Sequence, residues 1–466
     1  MTKPESTDSG HDPKSTEDLG HVPSSPVGHV PSDFSAHVLD VGPEAIDRLE
    51  VERLRRIVAV KEPSSALLGL SDELLLERLG AAVMADTLKL TVAGLLVVGR
   101  EEAIRRALPG HEAVYLHMKN DTEYDRRVDS SKPLLGILEQ FTQAVEPHNR
   151  ITTLKFGLFH FEIPDFPEEV YREALLNAFA HRDYSIAAPV YVRHFSNRLE
   201  ISNPGGFAGD VTTTNILGHE PVSRNRLLSE ILQKLRLVER AGMGVKRMYH
   251  ILLSYGKEPP SFEAGSDFVR LSLRSGRTEE SERKTKARVP AGTGIDETFA
   301  RFVMNRHQEG REPTLAELLL LSYLRRNREI DMAESERILQ RSENEARETL
   351  SSMVLKGLLE PFGQKKGRVY RLSKQVYQQL RGSVNYSVFR RAEAAYAEGA
   401  VLEYIADMSG PEDRRFVTNE IVRTLLRISP SQSGYLLAGL VKKKRLVLRG
   451  RGRAAKYFKS SQLSAF

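Results

Sequence analysis

The chain has 466 residues, a formal net charge of +6 and neither cysteine nor tryptophan. Its length predicts two to four domains that can each bury a core, and the lack of cysteine excludes disulfide bonds and thiolate metal sites. No apolar run approaches the roughly 18 residues of a membrane span. The first residues lack the pattern of a signal peptide, so we expect a cytoplasmic protein with no membrane partner.

The charge is distributed unevenly along the chain. Residues 276–466 hold 36 Lys and Arg against 23 Asp and Glu, a net charge of +13, whereas residues 1–275 hold 32 against 39, a net charge of −7. The two halves therefore suit different partners, and the basic half is predicted to bind a polyanion.

The composition of the first 275 residues separates a tail from two α/β regions. Residues 1–40 are rich in Ser, Pro, Asp and His, which is typical of disorder. Their histidines suit a metal ion, but no acid or cysteine is spaced to complete a rigid site. Helical periodicity begins near Pro43 in an N-terminal α/β region, residues 41–155. Strands and helices alternate through residues 156–275 and predict a layered domain.

The basic half of the chain repeats one pattern twice. Residues 276–294 are charged and contain Gly and Pro, so they are predicted to form a linker. In residues 295–380, and again in residues 381–466, helices that begin with N-capping residues are followed by two short strands around a basic turn. Three helices and a β-wing are the elements of a winged helix.

A helix predicted over Val170–His181 carries one narrow polar stripe on an otherwise apolar surface. Glu173, Asn177 and His181 lie at positions i, i+4 and i+8 and share one face. A carboxylate can orient and deprotonate a water molecule, and an amide oxygen one turn away can ligate Mg²⁺. The alternative is a solvated helix face, because Glu-x-x-x-Asn also occurs by chance.

Two stretches with paired glycines follow this helix. ISNPGG, residues 201–206, ends a strand in a turn whose glycines permit a positive φ and the close approach of a ligand. AGMGVKR, residues 241–247, leads into a helix whose free N–H groups and positive dipole end attract phosphate. A plain turn and close helix packing are the alternatives for each stretch alone. Their order after an acid/amide helix predicts a nucleotide site.

Four stretches together resemble a known family: EALLNAFAHRDY, ISNPGGF, VSRNRLL and ERAGMGVKRM. Their order is similar to the GHKL, or Bergerat, ATP-binding fold. It resembles more closely the prokaryotic ATP-binding proteins labelled "RecG-like helicase, C-terminal", a family of Schlafen AlbA-associated transcriptional regulators. The resemblance covers about residues 85–275. It implies an α+β multidomain chain, in which a GHKL-type α/β sandwich that binds ATP and Mg²⁺ is followed by two winged-helix domains.

The resemblance implies roles position by position. Glu173 would be the catalytic base that orients water, and Asn177 would be the Mg²⁺ ligand. The paired glycines would form the adenine-side turn and the phosphate loop, and a loop across the cleft would reach the phosphates. The nucleotide-binding residues implied are Asn177, His181, Asp183, Asn203, Gly205, Gly206, Arg224, Asn225, Gly242 and Gly244.

The sequence also departs from the wider fold. Asn203 stands where that fold has an Asp that reads the amino group of adenine, and an amide can select another base as well. The glycine loop is short and lacks the long lid of strong ATPases, so we expect slow ATP turnover or none. The P-loop pattern of helicase motors occurs nowhere in the 466 residues.

The two C-terminal units are predicted to bind duplex DNA through a helix in the major groove and a basic wing. Lys442–Lys459 holds nine basic residues and no acid, which favours phosphate contacts. The first unit also carries several acids, so a protein contact is an equal alternative there. The predicted DNA contacts are Ser342, Asn344, Arg347, Lys365, Lys366, Arg368, Gln432, Ser433, Lys442, Lys443, Lys444, Arg449, Arg451 and Arg453.

These features predict a nucleotide-binding, DNA-binding transcriptional regulator that forms a homo-oligomer. Two alternatives stay open. The chain would instead be the ATPase component of a DNA-transaction or phage-defence system, or an interaction scaffold with a degenerate nucleotide pocket.

Overall fold

The computed structural model describes residues 33–156, 159–238, 242–275, 295–363, 368–381, 397–409, 411, 414–426, 430–452 and 455–460. Most of the predicted tail and the whole predicted linker lie outside these residues. The prediction of an α+β multidomain chain is confirmed, because helices and a large mixed sheet share the first part of the chain. Within the described ranges, no helix combines the length and the apolar character needed to cross a lipid bilayer.

Eight α-helices lie in the described part of residues 33–275, joined in places by short 3-10 turns. The helices are α1 (Arg48–Lys61), α2 (Asp72–Leu79), α3 (Val92–Val98), α4 (Glu101–Ala107), α5 (Leu134–Val145), α6 (Glu168–His181), α7 (Arg226–Lys234) and α8 (Met243–Ser254). The strands are β1 (Ala82–Met84), β2 (Leu88–Leu90), β3 (Ala113–Met118), β4 (Tyr124–Ser130), β5 (Ile151–Phe156), β6 (Phe159–Pro164), β7 (Val190–His194), β8 (Arg198–Pro204), β9 (Ser261–Ala264) and β10 (Phe268–Arg274).

The central sheet has six strands in the order β4-β3-β7-β8-β10-β9. Only β3 and β7 are parallel neighbours, and the chain between them contains α5, the β5–β6 hairpin and α6. A parallel pair needs such a crossover, whereas β7 and β8 are antiparallel and join through a short turn. The crossover brings α6 against β8, where its apolar residues share one core with the sheet.

One hydrophobic core extends from Ala45 to Leu273 and includes residues of α1 and of β10. The predicted division between residues 155 and 156 falls inside this core. The last residues of the predicted tail also belong to the folded part, because Asp33 and Ser35 accept hydrogen bonds from the N–H groups of Leu227 and Leu228, at 2.8 and 3.1 Å. These N–H groups open α7 and have no partner within that helix.

The described C-terminal elements have the predicted order of helices and β-hairpins, and their designation as winged helices stays a prediction. The first unit contains α9 (Glu297–Gln308), α10 (Leu315–Leu324), α11 (Met332–Leu339), α12 (Glu343–Leu355), β11 (Leu359–Phe362), β12 (Val369–Leu372) and α13 (Lys374–Arg381). The second contains α14 (residues 397–407), β13 (Phe416–Val417), α15 (Asn419–Leu426), α16 (Pro430–Lys442), β14 (Leu446–Arg449) and β15 (Lys456–Lys459).

The two C-terminal units are attached differently to the central domain. The core of the first unit includes Tyr249 and Leu253 of α8, and Leu217 from the loop before α7. The buried core of the second unit consists of residues between Val401 and Leu446, with Tyr457 packed against it. The first unit is therefore packed directly on the domain that carries the candidate site.

Candidate functional site

A cavity of about 190 Å³ lies between α6, the central sheet and the start of α8. Its volume far exceeds the space that one water molecule occupies. Glu173, Asn177 and His181, the polar stripe of α6, all line it, and apolar residues of β8 and β10 form the opposite wall. An apolar cavity with a few convergent polar groups is typical of a small-molecule site.

Glu173 and Asn177 contact each other along the stripe. Asn177 Nδ2 lies 3.2 Å from Glu173 Oε1 and donates a hydrogen bond to it. Because the amide nitrogen faces the carboxylate, the amide oxygen is the atom left to ligate a cation. Among the described residues, no three His, Asp or Glu side chains are grouped so as to hold a metal ion. Mg²⁺ needs only one or two protein oxygens beside phosphate and water, so this donor set fits Mg²⁺ bound with a nucleotide.

The Glu173 carboxylate lies against the first turn of α8. A Cβ atom at Gly244 would overlap Glu173 Oε1, so only glycine allows this approach. Gly242, the residue that caps α8, has a φ of +68°, which favours glycine as well. The site therefore combines a carboxylate with the positive end of a helix dipole.

His181 is the third member of the stripe and lines the cavity. Burial, together with the charge of Arg224, lowers the pKa of the His181 imidazole to about 4. His181 is therefore neutral at pH 7. It can exchange hydrogen bonds with a ligand but brings no positive charge to a phosphate.

Asn203 lies at the end of β8 and is buried in the wall of the cavity. Its Nδ2 donates a hydrogen bond to the carbonyl oxygen of Pro204 at 3.1 Å. The opposite amide orientation would bring two oxygens together, so the network selects this one. The Asn203 Oδ1 atom is then left to accept a hydrogen bond from a ligand.

Arg224 joins Asp183 to the glycine turn, Gly205 and Gly206, beside the cavity. Arg224 donates from Nη1 to Asp183 Oδ2 at 2.6 Å and from Nη2 to the carbonyl oxygen of Gly206 at 2.9 Å. Gly205 has a φ of +89°, and a Cβ atom there would lie 2.7 Å from Arg224 Nη1. Burial opposes ionisation of Asp183, but hydrogen bonds from Ser185 and the Arg224 charge outweigh it and lower the pKa of the carboxyl. Gly206 lines the cavity, whereas the Asp183–Arg224 ion pair holds the turn.

Asn225 occupies an interior position that does not suit the phosphate contact predicted for it. The side chain is 1% exposed, and Nδ2 donates to the carbonyl oxygens of Ala180 and Arg182 at 3.0 and 2.8 Å. Arg182 is itself fully buried and donates to the carbonyl oxygens of Ile186 and Ala188. Both residues therefore stabilise the end of α6 and the loop that follows it.

One wall of the cavity is a loop whose position the sequence did not predict. Residues between Phe207 and Ser223 line it, among them Val211, Ile216 and Val222. This loop is neither helix nor strand, so it has no periodic pattern from which its position can be predicted.

The predicted DNA contacts of the first unit lie at the start of α12 and on the hairpin. Ser342 caps α12 in a capping box with Glu345. Asn344 and Arg347 are exposed, and Arg347 is paired with Glu343. Arg368 is exposed next to β12, whereas Lys365 and Lys366 lie outside the described residues.

The predicted contacts of the second unit fall into two groups. Exposed positions are held by Lys442, Lys443, Lys444, Arg449 and Arg451. Ser433 is instead buried and donates a hydrogen bond to the carbonyl oxygen of Asn419 at 3.2 Å. This interior position does not suit a base contact. Arg453 and the side chain of Gln432 lie outside the described residues.

Comparison with known proteins supports an ATPase-like domain in the middle of the chain. Residues 187–273 match the family HATPase_c_4, described as "Putative ATP-dependent DNA helicase recG C-terminal". Residues 29–113 match a domain of unknown function, DUF8451. The first match includes Asn203, Gly205 and Gly244 but begins after α6. No curated protein matches the chain.

A solved structure shares the fold. The chain is 24% identical to the DIP2311 protein from Corynebacterium diphtheriae, with a TM-score of 0.60. The alignment covers 75% of this chain and 66% of that one, just under two thirds of its length. At this identity the likeness shows the fold alone.

Proposed function

We propose that the protein binds ATP and Mg²⁺ in the cavity beside α6, and that the bound nucleotide regulates its binding to duplex DNA as a transcriptional regulator. The main support is the convergence of Glu173, Asn177 and Gly244 on one cavity that residues of the ATPase-like match, 187–273, also line. We further expect the protein to be cytoplasmic and to form a homo-oligomer.

The base of the nucleotide would lie near the C-terminal end of α6. The backbone N–H of Asp183 donates to the carbonyl oxygen of Pro204 at 2.9 Å, so the end of α6 lies beside Asn203. Asn203 Oδ1 can accept a hydrogen bond from the exocyclic amine of adenine. Guanine presents a carbonyl oxygen at the same position, to which Asn203 Oδ1 cannot be hydrogen-bonded because both are acceptors.

The phosphates would lie toward the start of α8. The glycines at residues 242 and 244 permit a close approach to its N-terminal N–H groups, which attract anions. Asn177 Oδ1 would hold Mg²⁺, which when bound neutralises charge on the phosphates. Glu173, one turn away, can orient a water molecule and accept its proton. The carboxylate is already hydrogen-bonded to Asn177, which favours slow turnover.

The second C-terminal unit is the better candidate for DNA binding. Lys442, Lys444, Arg449 and Arg451 are exposed on the end of α16 and on the hairpin that follows. Such a group of cations would bind phosphates with a strong dependence on salt. In the first unit, Glu343 is paired with Arg347, so a protein contact is an equal alternative there.

Calorimetry with ATP and Mg²⁺ tests the nucleotide site. We expect wild type to bind ATP, and Asn177→Ala to lose the part of the affinity that depends on Mg²⁺. Asn305→Ala removes an exposed amide on α9 and serves as the control. An unchanged Mg²⁺ dependence in Asn177→Ala would overturn the assignment of the metal ligand.

Fluorescence anisotropy with a labelled duplex tests the DNA site. The double variant Arg449→Ala/Arg451→Ala is expected to weaken binding and to reduce the slope of log affinity against log salt by about two. Arg105→Ala removes an exposed arginine of the N-terminal region and is the control. Equal slopes in the two variants would exclude the hairpin as a phosphate contact.

An ATPase component of a DNA-transaction or phage-defence system is the second candidate, because Glu173 lies within hydrogen-bonding distance of a metal-ligand candidate. Turnover that DNA stimulates and Glu173→Ala abolishes would favour this enzyme. DNA binding that depends on nucleotide without turnover would favour the regulator. Failure to bind any nucleotide would leave an interaction scaffold with a degenerate pocket.

A further inference from the structure

A second cavity, of about 160 Å³, lies next to the first. Glu173, Gly244 and Met248 line both cavities and therefore lie between them. The second cavity extends over the N-terminal turns of α6, whereas the first extends over the C-terminal turns. It also reaches Lys61 at the end of α1, in the region that matches a domain of unknown function.

Four cations line the second cavity, against two carboxylates. The cations are Lys61, Arg172, Arg236 and Arg247, and the carboxylates are Glu169 and Glu173. The lining itself has more cations than carboxylates, and Arg172 and Arg236 are paired with carboxylates that lie outside it, Glu168 and Glu62.

Neighbouring carboxylates hold the guanidinium groups in place. Arg247 Nη2 lies 2.6 Å from Glu169 Oε2, and Arg236 Nη2 lies 3.2 Å from Glu62 Oε2. A guanidinium has five N–H donors, and one carboxylate uses at most two of them. The Arg236 donors that Glu62 does not use can bind further oxygens, and the planar fork matches a phosphate well.

The position of this cavity matches the end of a nucleotide that begins at Asn203. On α6, His181 lies about 12 Å from Glu173 along the helix axis, and Glu169 lies about 6 Å from it in the other direction. A nucleotide with its base near the C-terminal end of α6 and its phosphates toward Glu173 would have the second cavity beyond its terminal phosphate. Lys61 and Arg236 line this cavity.

We infer that the second cavity binds the terminal phosphate of the nucleotide, with Lys61 and Arg236 as its cations. The ligand class is a phosphate group with at least one free end, supplied by a nucleoside triphosphate or by inorganic phosphate. Where a nucleoside triphosphate supplies the phosphate, the inference rests on the proposed function. It gives the N-terminal region a part in the nucleotide site.

Calorimetry with ATP, ADP, adenosine and inorganic phosphate tests this inference. Wild type is expected to bind ATP about tenfold more tightly than ADP, because charged hydrogen bonds to the third phosphate are added. Lys61→Gln/Arg236→Gln should lose most of this preference and keep its affinity for adenosine. Arg105→Gln, which removes an exposed arginine paired with Glu101, should behave as wild type.

The outcomes separate the inference from the proposed function. An equal preference for ATP over ADP in wild type and in the double variant would overturn the inference and leave the proposed function intact. Binding of inorganic phosphate through Lys61, without any binding of nucleotide, would keep the cavity as an anion site and overturn the proposed function. If the double variant also loses its affinity for adenosine, the single variant Lys61→Gln tests the inference instead. Lys61 is exposed at the end of α1, so this substitution should leave the fold intact.

Discussion

The side chain of Gln340 is bound to the loop that closes the nucleotide cavity. Its Oε1 accepts a hydrogen bond from the N–H of Leu217 at 2.8 Å, and its Nε2 donates to the carbonyl oxygen of Thr213 at 3.2 Å. Gln340 is the C-cap residue of α11 and has a φ of +52°. It lies two residues before Ser342, the N-cap residue of α12. A Cβ atom at Gly218 would overlap the Gln340 carbonyl oxygen, so the two segments are in close contact. Ile216 of the same loop lines the cavity.

This contact predicts coupling between nucleotide and DNA. In Gln340→Ala, the ratio of DNA affinities with and without ATP and Mg²⁺ should move about fivefold closer to one. The reason is that the loop is no longer bound to the segment before α12. Nucleotide affinity without DNA should change little. Anisotropy of a labelled duplex with and without nucleotide measures the effect, and Gln379→Ala, at an exposed position of α13, is the control. Equal coupling in both variants would contradict this route.

Gly244→Ala should disrupt the nucleotide site. Its methyl group would overlap Glu173 Oε1 and displace either the carboxylate or the first turn of α8. We expect a loss of about 1–3 kcal/mol in nucleotide affinity, typical of overpacking, and a smaller loss of stability, because the carboxylate is the end of a flexible side chain. Thermal unfolding and calorimetry measure the two quantities. Gly69→Ala is the control, since a Cβ atom at Gly69 meets nothing within 4 Å. Similar behaviour of the two variants would show that the approach is not tight.

Asn203 should select adenine over guanine. One Nδ2 hydrogen is bound to the Pro204 carbonyl oxygen, and Oδ1 is the acceptor that the side chain can offer a ligand. Competition binding should show ATP preferred to GTP by tenfold or more, since a mismatch leaves a buried polar group unpaired at a cost of about 1–3 kcal/mol. Asn203→Asp keeps the acceptor and should keep the preference, whereas Asn203→Leu should remove it. A wild type that binds GTP as tightly as ATP would refute this selection.

The Asp183–Arg224 ion pair should act on nucleotide binding through the glycine turn. Arg224→Ala removes the hydrogen bonds to Asp183 and to the Gly206 carbonyl oxygen, so the affinity for both ATP and ADP should fall. The ratio of the ATP affinity to the ADP affinity should stay as in wild type. A double-mutant cycle with Asp183→Ala should give a coupling energy of about 1 kcal/mol, because the two side chains contact each other. If Arg224→Ala affects ATP and spares ADP, Arg224 contacts the terminal phosphate instead.

The stability of the protein should fall as the pH falls from about 6.5 to 4. His111 is 2% exposed, its Nε2 donates to the Lys132 carbonyl oxygen at 3.0 Å, and its Nδ1 has no hydrogen-bond partner among the described residues. Burial lowers the pKa of His111 to about 4. The unfolded chain, with an ordinary pKa of about 6.5, then binds a proton that the folded chain does not, so the free energy of unfolding increases with pH.

Replacing His111 isolates its contribution to this pH dependence. Between pH 7.5 and 5.5 the buried imidazole should cost wild type about 1 kcal/mol of unfolding free energy. His111→Gln keeps the bond to Lys132 and should lose this part of the pH dependence in urea titrations. His307→Gln, at an exposed position of α9, should leave it unchanged. Parallel curves for the two variants would mean that His111 is protonated in the folded protein.

Local patterns were sufficient for part of this site. The stripe of Glu173, Asn177 and His181 follows from helical periodicity, which depends only on residues a few positions apart. The glycine turn and the start of α8 are similarly local, because positive φ angles and free N–H groups mark them in any context.

The sequence by itself therefore determined the α+β composition, the polar face of α6 and the glycine turns. Only the tertiary structure decided which partners the other charged and polar groups meet. Arg224 lies 41 residues from Asp183 and Gln340 lies 123 from Leu217 along the chain. The same holds for Lys61, which lines the same cavity as Glu173 although the two residues are far apart in the sequence. Such contacts depend on how elements that are distant in the sequence pack against each other. The periodicity within one element does not predict this packing.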